Sequence, residues 1–149
     1  MNSEWVRRCH WTIAMAGGYA TYGDWSNGIS YFYMGIPGPG KAALQLKYMK
    51  SFFETLPFNE KIPNDSLTNN GFCLTRLPDI YVFYFPHGGD ADIDLSESEY
   101  KSHATYFLNP RTGKLLKGPV LKKGVHNVHL PGNEDLVMYI RKDIKKETL

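Results

Sequence analysis

The sequence predicts a mainly β, α+β fold: an antiparallel β-sandwich of about seven strands that follows two N-terminal helices. The first observation is a run of six β-branched or aromatic residues, 80–85, between two turn signals. Because the run is short for a helix and has no polar gap, it is typical of a central strand covered on both faces. The second is that turn residues then recur at intervals of roughly 8 to 12 residues. The third is helical periodicity in two earlier segments.

The two helical segments have apolar stripes of different width. The first helix is predicted over residues 4–16, with Ser3 as the N-cap and two glycines as the stop. Its stripe is predicted to contain Trp5, Cys9, Thr12 and Ala16, flanked on the same side by Val6 and Ile13. The second helix is predicted over residues 41–56, and its broad stripe contains Ala42, Leu44, Leu46, Tyr48, Met49, Phe52, Phe53 and Leu56. Since burying a Leu or Phe is worth about 1.5 to 3 kcal/mol, the second helix requires a large partner surface.

The remainder of the chain is predicted to form the strands. They are expected near residues 72–77, 80–85, 91–95, 103–108, 114–121, 126–130 and 136–141. The stretch before them is rich in proline and asparagine, which is typical of a linker. We therefore predict a helical region at 1–58, a linker at 59–70 and a β-sandwich domain at 71–149.

Charge and hydropathy give no indication of a nucleic-acid or membrane partner. The chain has 17 basic and 15 acidic residues, a net charge of +2. No apolar run is long enough to span a bilayer, and residues 1–4 lead into an amphipathic pattern without the features of a signal peptide. Localisation is therefore not predicted. Cys9 and Cys73, far apart in sequence, are expected to be free and buried.

No catalytic, cofactor-binding or metal-binding residue is predicted. Asp90, Asp92 and Asp94 alternate along one predicted strand, as a cation site would require. The residues between them are apolar and must face the core, so the carboxylates are interpreted as the solvent face. His126 and His129 fall on opposite faces of a strand and are poor joint ligands. Phosphate-loop, dinucleotide and nucleophile-elbow patterns do not occur.

Aromatic residues in a glycine-rich stretch are the candidate ligand contacts. Tyr19, Tyr22 and Trp25 lie where the chain has no helical period. Sugars pack their C–H faces on flat aromatic rings, whose faces carry partial negative charge. The pattern therefore predicts sugar-stacking residues. The alternative is that these rings pack beneath the second helix.

Five segments of the chain carry a family resemblance: 11–23, 39–63, 81–88, 106–113 and 135–139. The more specific motifs within them are Gly-x-x-Thr-Tyr-Gly and Asn-Pro-Arg-Thr-Gly. The segments resemble the last part of the apiosidase-like TIM-barrel glycoside hydrolases and the β-domain that follows that barrel. This β-domain is named as a collagen-binding domain of a collagenase. The resemblance implies that the two helices are a remnant of a TIM barrel, and that Tyr22 and Trp25 line a sugar pocket.

The resemblance also implies what the chain lacks. Barrel glycosidases use two carboxylates, which other strands of the barrel supply. The chain begins at about the seventh barrel helix, and Asp24 is the lone carboxylate near the motif, where a turn residue is the simpler interpretation. We therefore expect a noncatalytic accessory β-sandwich module that binds carbohydrate or collagen. The alternative is a glycoside hydrolase that is active only when another chain completes the barrel. The resembling family is typically secreted or periplasmic.

The expected partners follow from the same reasoning. A carbohydrate or an upstream barrel polypeptide is the expected partner. The stripe of residues 41–56 either folds back onto the sandwich or pairs with a second copy. A symmetric dimer through 41–56 is the preferred prediction, because one self-complementary patch suffices for a two-fold interface.

Overall fold

The computed structural model describes residues 2–21, 25–26, 29–30, 40–130 and 132–143. Helix α1 spans Ser3–Met15 and helix α2 spans Lys41–Glu54, which confirms the two predicted helices. Asn2 is the N-cap of α1, not the predicted Ser3. The reason is that the Asn2 Oδ1 atom accepts a hydrogen bond of 2.9 Å from the Glu4 backbone N–H.

The described strands occur along the chain in the following order. They are β1 (Trp25–Ser26), β2 (Ile29–Ser30), β3 (Ile62–Pro63), β4 (Phe72–Arg76), β5 (Ile80–Phe85), β6 (Gly89–Asp94), β7 (Ser102–Leu108), β8 (Leu115–Lys122), β9 (Val125–Leu130) and β10 (Leu136–Lys142). Short 3-10 turns occupy Phe58–Glu60 and Asp65–Leu67. Each of the seven strands predicted after residue 70 is present. The mainly β, α+β class is therefore confirmed.

The strands form a large and a small antiparallel sheet that face each other. The large sheet has the order β3-β4-β5-β10-β7-β8, and β6 pairs with β9 in the small one. Strand β5 lies between β4 and β10 in the large sheet. This confirms residues 80–85 as a central strand. The hairpin β1–β2 forms a separate two-stranded sheet.

Strand β5 contributes to two separate cores because its side chains alternate between the two faces of the large sheet. Tyr81, Phe83 and Phe85 pack toward the small sheet. Val82 and Tyr84 pack toward the helices. All five are at most 1% exposed, which explains why the run 80–85 has no polar position.

The helices pack on the large sheet around Trp11. This residue is fully buried, and its ring centroid lies 5.2 Å from that of Phe53 in α2 and 5.4 Å from that of Tyr84 in β5. The rest of this helix-side core comprises Ala14, Met15, Leu56, Leu74, Val82, Leu108 and Val137. Part of the predicted stripe of α2 thus contacts the sheet. The dimer through residues 41–56 stays a prediction.

The buried face of helix α1 shares Val6 with the predicted stripe but otherwise differs from it. Its buried residues are Val6, Arg7, Trp11, Ala14 and Met15. Trp5 is 60% exposed, and Cys9 is only half-buried, whereas Cys73 is fully buried. Both cysteines are free. The rest of the predicted stripe was wrong because Arg7 counts as polar by pattern, yet tertiary contacts bury it.

The predicted linker makes ordered contacts with the strands. Ile62 and Pro63 pair with Thr75 and Leu74 of β4, and Leu67 is 6% exposed within the core between the sheets. The division into residues 1–58, 59–70 and 71–149 stays a prediction.

Candidate ligand-binding cavity

A cavity of about 650 Å³ lies between α1, α2 and the turn that follows α2. Its lining is mostly apolar and consists of His10, Ala14, Gly18, Tyr19, Ala20, Leu46, Met49, Lys50, Phe53, Glu54, Leu56, Phe58 and Asn59. A concave, largely apolar surface with a few polar groups is the usual form of a small-molecule site. The cavity is therefore the first candidate for ligand binding.

The end of α1 positions Tyr19 beside this cavity. The Gly17 and Gly18 N–H groups donate to carbonyls in the last turn of α1, and Gly17 has φ of 78°, a conformation that favours glycine. The chain leaves the helix there, and Tyr19 packs its ring edge-on against Phe58 at 5.3 Å. Tyr19 is 81% exposed. An exposed ring held by one neighbour is able to contact a ligand.

Of the three predicted stacking residues, the structure places Tyr19 beside the cavity. Tyr22 lies outside the described residues. The backbone of Trp25 is in β1, where it pairs with Ser30, but its side chain lies outside the described part of the chain. The grouping of Tyr19, Tyr22 and Trp25 stays a prediction.

The polar groups of the lining come from both helices and the turn. Lys50 and Glu54 form an exposed ion pair of 2.9 Å. The His10 Nδ1 lies 2.8 Å from the Val6 carbonyl oxygen. Because a carbonyl only accepts, Nδ1 donates in this contact. Asn59 adds an amide to the same lining.

The described lining contains one carboxylate, that of Glu54. Hydrolysis of a glycosidic bond by the usual mechanism requires two carboxyl groups, about 5 to 9.5 Å apart. Glu54 is paired with Lys50, and the described lining offers no second carboxylate.

A buried ion pair joins α1 to the strands. The Arg7 Nε and Nη2 atoms donate to the two carboxylate oxygens of Asp135, each at 2.8 Å, and Arg7 Nη1 donates to Gln45 Oε1 at 2.9 Å. Tyr84 donates its hydroxyl to Asp135 at 3.3 Å, and Arg111 approaches the same carboxylate at 3.5 Å. Burial and the Asp135 carboxylate raise the pKa of Tyr84, so its hydroxyl stays a donor. This network ties together both helices, β5 and the segment before β10.

Sequence reasoning missed this network. Arg7 precedes the fully buried Trp11 by four positions, so the two share one face of α1. An arginine on the buried face of a helix needs a carboxylate partner. That rule would have indicated a buried pair but not which acid, since Asp135 is 128 positions away.

The three alternating aspartates lie on the outer face of the small sheet, as predicted. The Asp92 carboxylate accepts from Asn69 and Asn127, each at 2.8 Å, while Asp90 contacts His129 at 2.5 Å. The intervening Ala91 and Ile93 are fully buried. Protein amides therefore occupy both carboxylate oxygens of Asp92, and an imidazole contacts one oxygen of Asp90.

In the part of the chain that the structure describes, no group of three or more His, Cys, Asp or Glu side chains is arranged to hold a metal ion. None of the described helices has both the length and the apolar character needed to cross a bilayer.

The fold is that of part of known glycoside hydrolases. A solved structure described as a glycoside hydrolase superposes with a TM-score of 0.78 and 22% identity, over 96% of this chain and 37% of that one. A family 5 glycoside hydrolase from Bacteroides vulgatus gives 0.76 and 21% identity, over 97% of this chain and 37% of its own. The chain therefore spans just over a third of the length of these proteins. No protein-family model and no curated protein matches the sequence.

Proposed function

We propose that this chain is a noncatalytic accessory module of a glycoside-hydrolase-like protein, and that it contacts carbohydrate. One observation carries the proposal: 96% of the chain has the fold of a third of a glycoside hydrolase chain. The described cavity supports the noncatalytic part, because its lining offers one carboxylate where hydrolysis needs two. Tyr19 supports the binding part, since its ring is exposed beside the cavity.

Tyr19 gives the first test of carbohydrate binding. We expect the whole chain to be retarded in gels that contain a neutral plant polysaccharide, and Tyr19→Ala to reduce the affinity by about tenfold, because stacking contributes about 1 kcal/mol or more. Trp5→Ala is the matched control, since Trp5 is an exposed aromatic on α1 outside the cavity. Equal losses in the two variants would contradict a role for Tyr19. Retardation by collagen alone would replace carbohydrate with a protein ligand.

The absence of catalysis is tested with a panel of aryl glycosides. We expect no turnover by the chain on its own. Hydrolysis that scales with protein concentration, and that Glu54→Gln removes, would overturn the noncatalytic proposal.

A second candidate function is that of an incomplete glycoside hydrolase completed by another chain. The observation that favours it is the open apolar cavity on the helices, where Leu46 and Met49 lie at the surface of α2. A polypeptide that supplies the rest of the matched fold would cover these residues. Leu46→Asp should then abolish co-purification with such a polypeptide while the chain stays folded.

A symmetric dimer through residues 41–56 would cover the same surface, and sedimentation of the chain alone at micromolar concentration distinguishes the two.

A further inference from the structure

The helices cover only part of their face of the large sheet. In register across the sheet, Tyr84, Val137 and Leu108 form one row that lies beneath the helices. The next row contains Tyr139 of β10, Tyr106 of β7 and Lys117 of β8. Both tyrosines of that row are partly exposed and Lys117 is exposed. We call this second row, together with Arg141 and Val120 beside it, the open shelf.

The open shelf has an aromatic floor and a helical wall. The Tyr106 and Tyr139 ring centroids are 5.9 Å apart, with their planes 28° from parallel. Phe52 of α2 meets Tyr139 edge-on at 5.8 Å. Tyr48 lies one turn earlier on α2 and packs closely against Gly113. A Cβ atom added at Gly113 would lie 2.7 Å from the Tyr48 ring. These two contacts hold helix α2 along one side of the open shelf.

Arg141 is exposed yet held in place on the open shelf. Its guanidinium lies 5.3 Å from the centre of the Tyr106 ring, and its Nη2 donates to the Tyr106 hydroxyl at 3.2 Å. Because the side chain is already ordered, binding a ligand costs less conformational entropy. Among the described residues, no ion pair involves Arg141 or Lys117. The guanidinium therefore retains donors for an external anion.

Edge protection does not account for these charges. Lysines on an edge strand discourage pairing with another sheet, and Lys117 on β8 fits that role. Arg141 is on β10, an inner strand with β5 and β7 on either side, where no edge needs protection. Burial raises the pKa of Tyr139, so the hydroxyl beside this cation stays protonated. The shelf thus combines a fixed guanidinium, an ammonium group and two phenolic hydroxyls.

We propose that the open shelf binds an anionic polysaccharide, with Arg141 and Lys117 recognising the carboxylates of its uronic acid units. A guanidinium matches a carboxylate with two parallel hydrogen bonds. The tyrosine hydroxyls and Val120 supply polar and apolar contacts for the sugar ring. The ligand class rests on the proposed carbohydrate function, but the surface is separate from the cavity beside Tyr19.

Polygalacturonate is the probe, with uncharged galactan as the comparison polymer in affinity gels. We expect Arg141→Gln to weaken polygalacturonate binding by about tenfold or more, since hydrogen bonds to charged groups contribute about 1.5 to 3 kcal/mol. Lys117→Gln should weaken it by about threefold. Lys47→Gln is the control, because it removes one positive charge from an exposed position on α2. Arg141→Lys should restore little, as an ammonium group cannot form the paired bonds.

The outcomes separate this proposal from the broader one. The shelf proposal is supported if the chain binds polygalacturonate selectively and this binding requires Arg141. The binding should also survive Tyr19→Ala and weaken with added salt. Equal binding of polygalacturonate and galactan by the Tyr19→Ala variant, or no effect of Arg141→Gln relative to Lys47→Gln, overturns the shelf and leaves the accessory function standing. Equal binding to a single-stranded thymidine oligonucleotide overturns the ligand class. Binding to no polysaccharide at all overturns both proposals.

Discussion

The two faces of the large sheet are covered in different ways. The face toward β6 and β9 is sealed, with Tyr81, Phe83 and Phe85 at most 1% exposed. The helix-side face is sealed only around Trp11, and the row with Tyr106 stays partly exposed. The sealed face provides stability. The half-covered face leaves aromatic and charged groups accessible, and the cavity beside Tyr19 lies between the helices that cover the rest of this face.

The sealed face should be the more sensitive of the two to truncation. Phe83→Ala is expected to destabilise the fold by about 3 to 5 kcal/mol, the usual loss for a fully buried phenylalanine. This is a large part of the roughly 5 to 15 kcal/mol that a domain possesses. Urea unfolding followed by circular dichroism measures it. Ile62→Ala, at a position 68% exposed, serves as the control and should shift the midpoint little. Equal midpoints for both variants would contradict the sealed face.

The helix-side face depends on the buried ion pair. Asp135→Ala leaves the Arg7 guanidinium buried without its carboxylate, so we expect a loss of about 3 kcal/mol. The double variant Arg7→Met, Asp135→Leu should recover most of that loss, because it removes both buried charges. Unfolding monitored by tryptophan fluorescence and by circular dichroism gives the comparison. A double variant as unstable as the single one would show that the pair itself, and not the orphaned charge, stabilises the helices.

The third prediction concerns Lys61, a buried lysine next to β3 at the edge of the large sheet. It is 7% exposed, its Nζ has no hydrogen-bond partner among the described residues, and burial, with Arg76 nearby, lowers its pKa to about 8. Since the unfolded pKa is 10.5, the unfolded state binds more protons between these values, and this residue makes stability rise as the pH rises from 8 to 10.5. Lys61→Met should remove that slope and stabilise the fold at pH 7 by about 1 kcal/mol.

The measurement is the difference in unfolding free energy between wild type and Lys61→Met at several pH values, so that other titrating groups cancel. Parallel curves would show that Lys61 is solvated in the folded chain. Lys101→Met, at an exposed lysine, is the control.

His103 gives the smallest expected effect, on the sealed face. Its Nε2 lies 2.7 Å from Ser98 Oγ, and burial lowers its pKa below the ordinary 6.5. As the pH falls, the unfolded state therefore takes up the proton before the folded state does. The stability that neutral His103 contributes is fully present above pH 6.5 and is lost as the pH falls toward the lowered pKa of the folded state. We expect a small loss of stability between pH 7 and 5. His103→Asn should flatten this part of the pH profile, and an unchanged profile would contradict the assignment.

The sequence predicted the strands better than the helices' contacts. The run of six β-branched or aromatic residues at 80–85 is a local property of the sequence, so its composition and length alone indicated the central strand β5. In α1 the apolar pattern favoured Trp5 and Cys9, whereas the structure buries Trp11 and Arg7. A hydrophobic pattern cannot predict the burial of a charged residue such as Arg7, whose charge is neutralised by a partner far away in the sequence. The same limitation hid the open shelf, because Tyr106 and Arg141 become neighbours only through strand pairing.

By itself, the sequence determined the order and kind of the two helices and of the seven strands after residue 70, the central position of residues 80–85 and the outward direction of Asp90, Asp92 and Asp94. These depend on spacing along the chain, which sets the direction of each side chain in a strand or helix. Only the tertiary structure decided which stripe of α1 is buried and how far α2 covers the large sheet. Those outcomes depend on contacts such as that of Arg7 with Asp135, 128 positions apart, which no local pattern encodes.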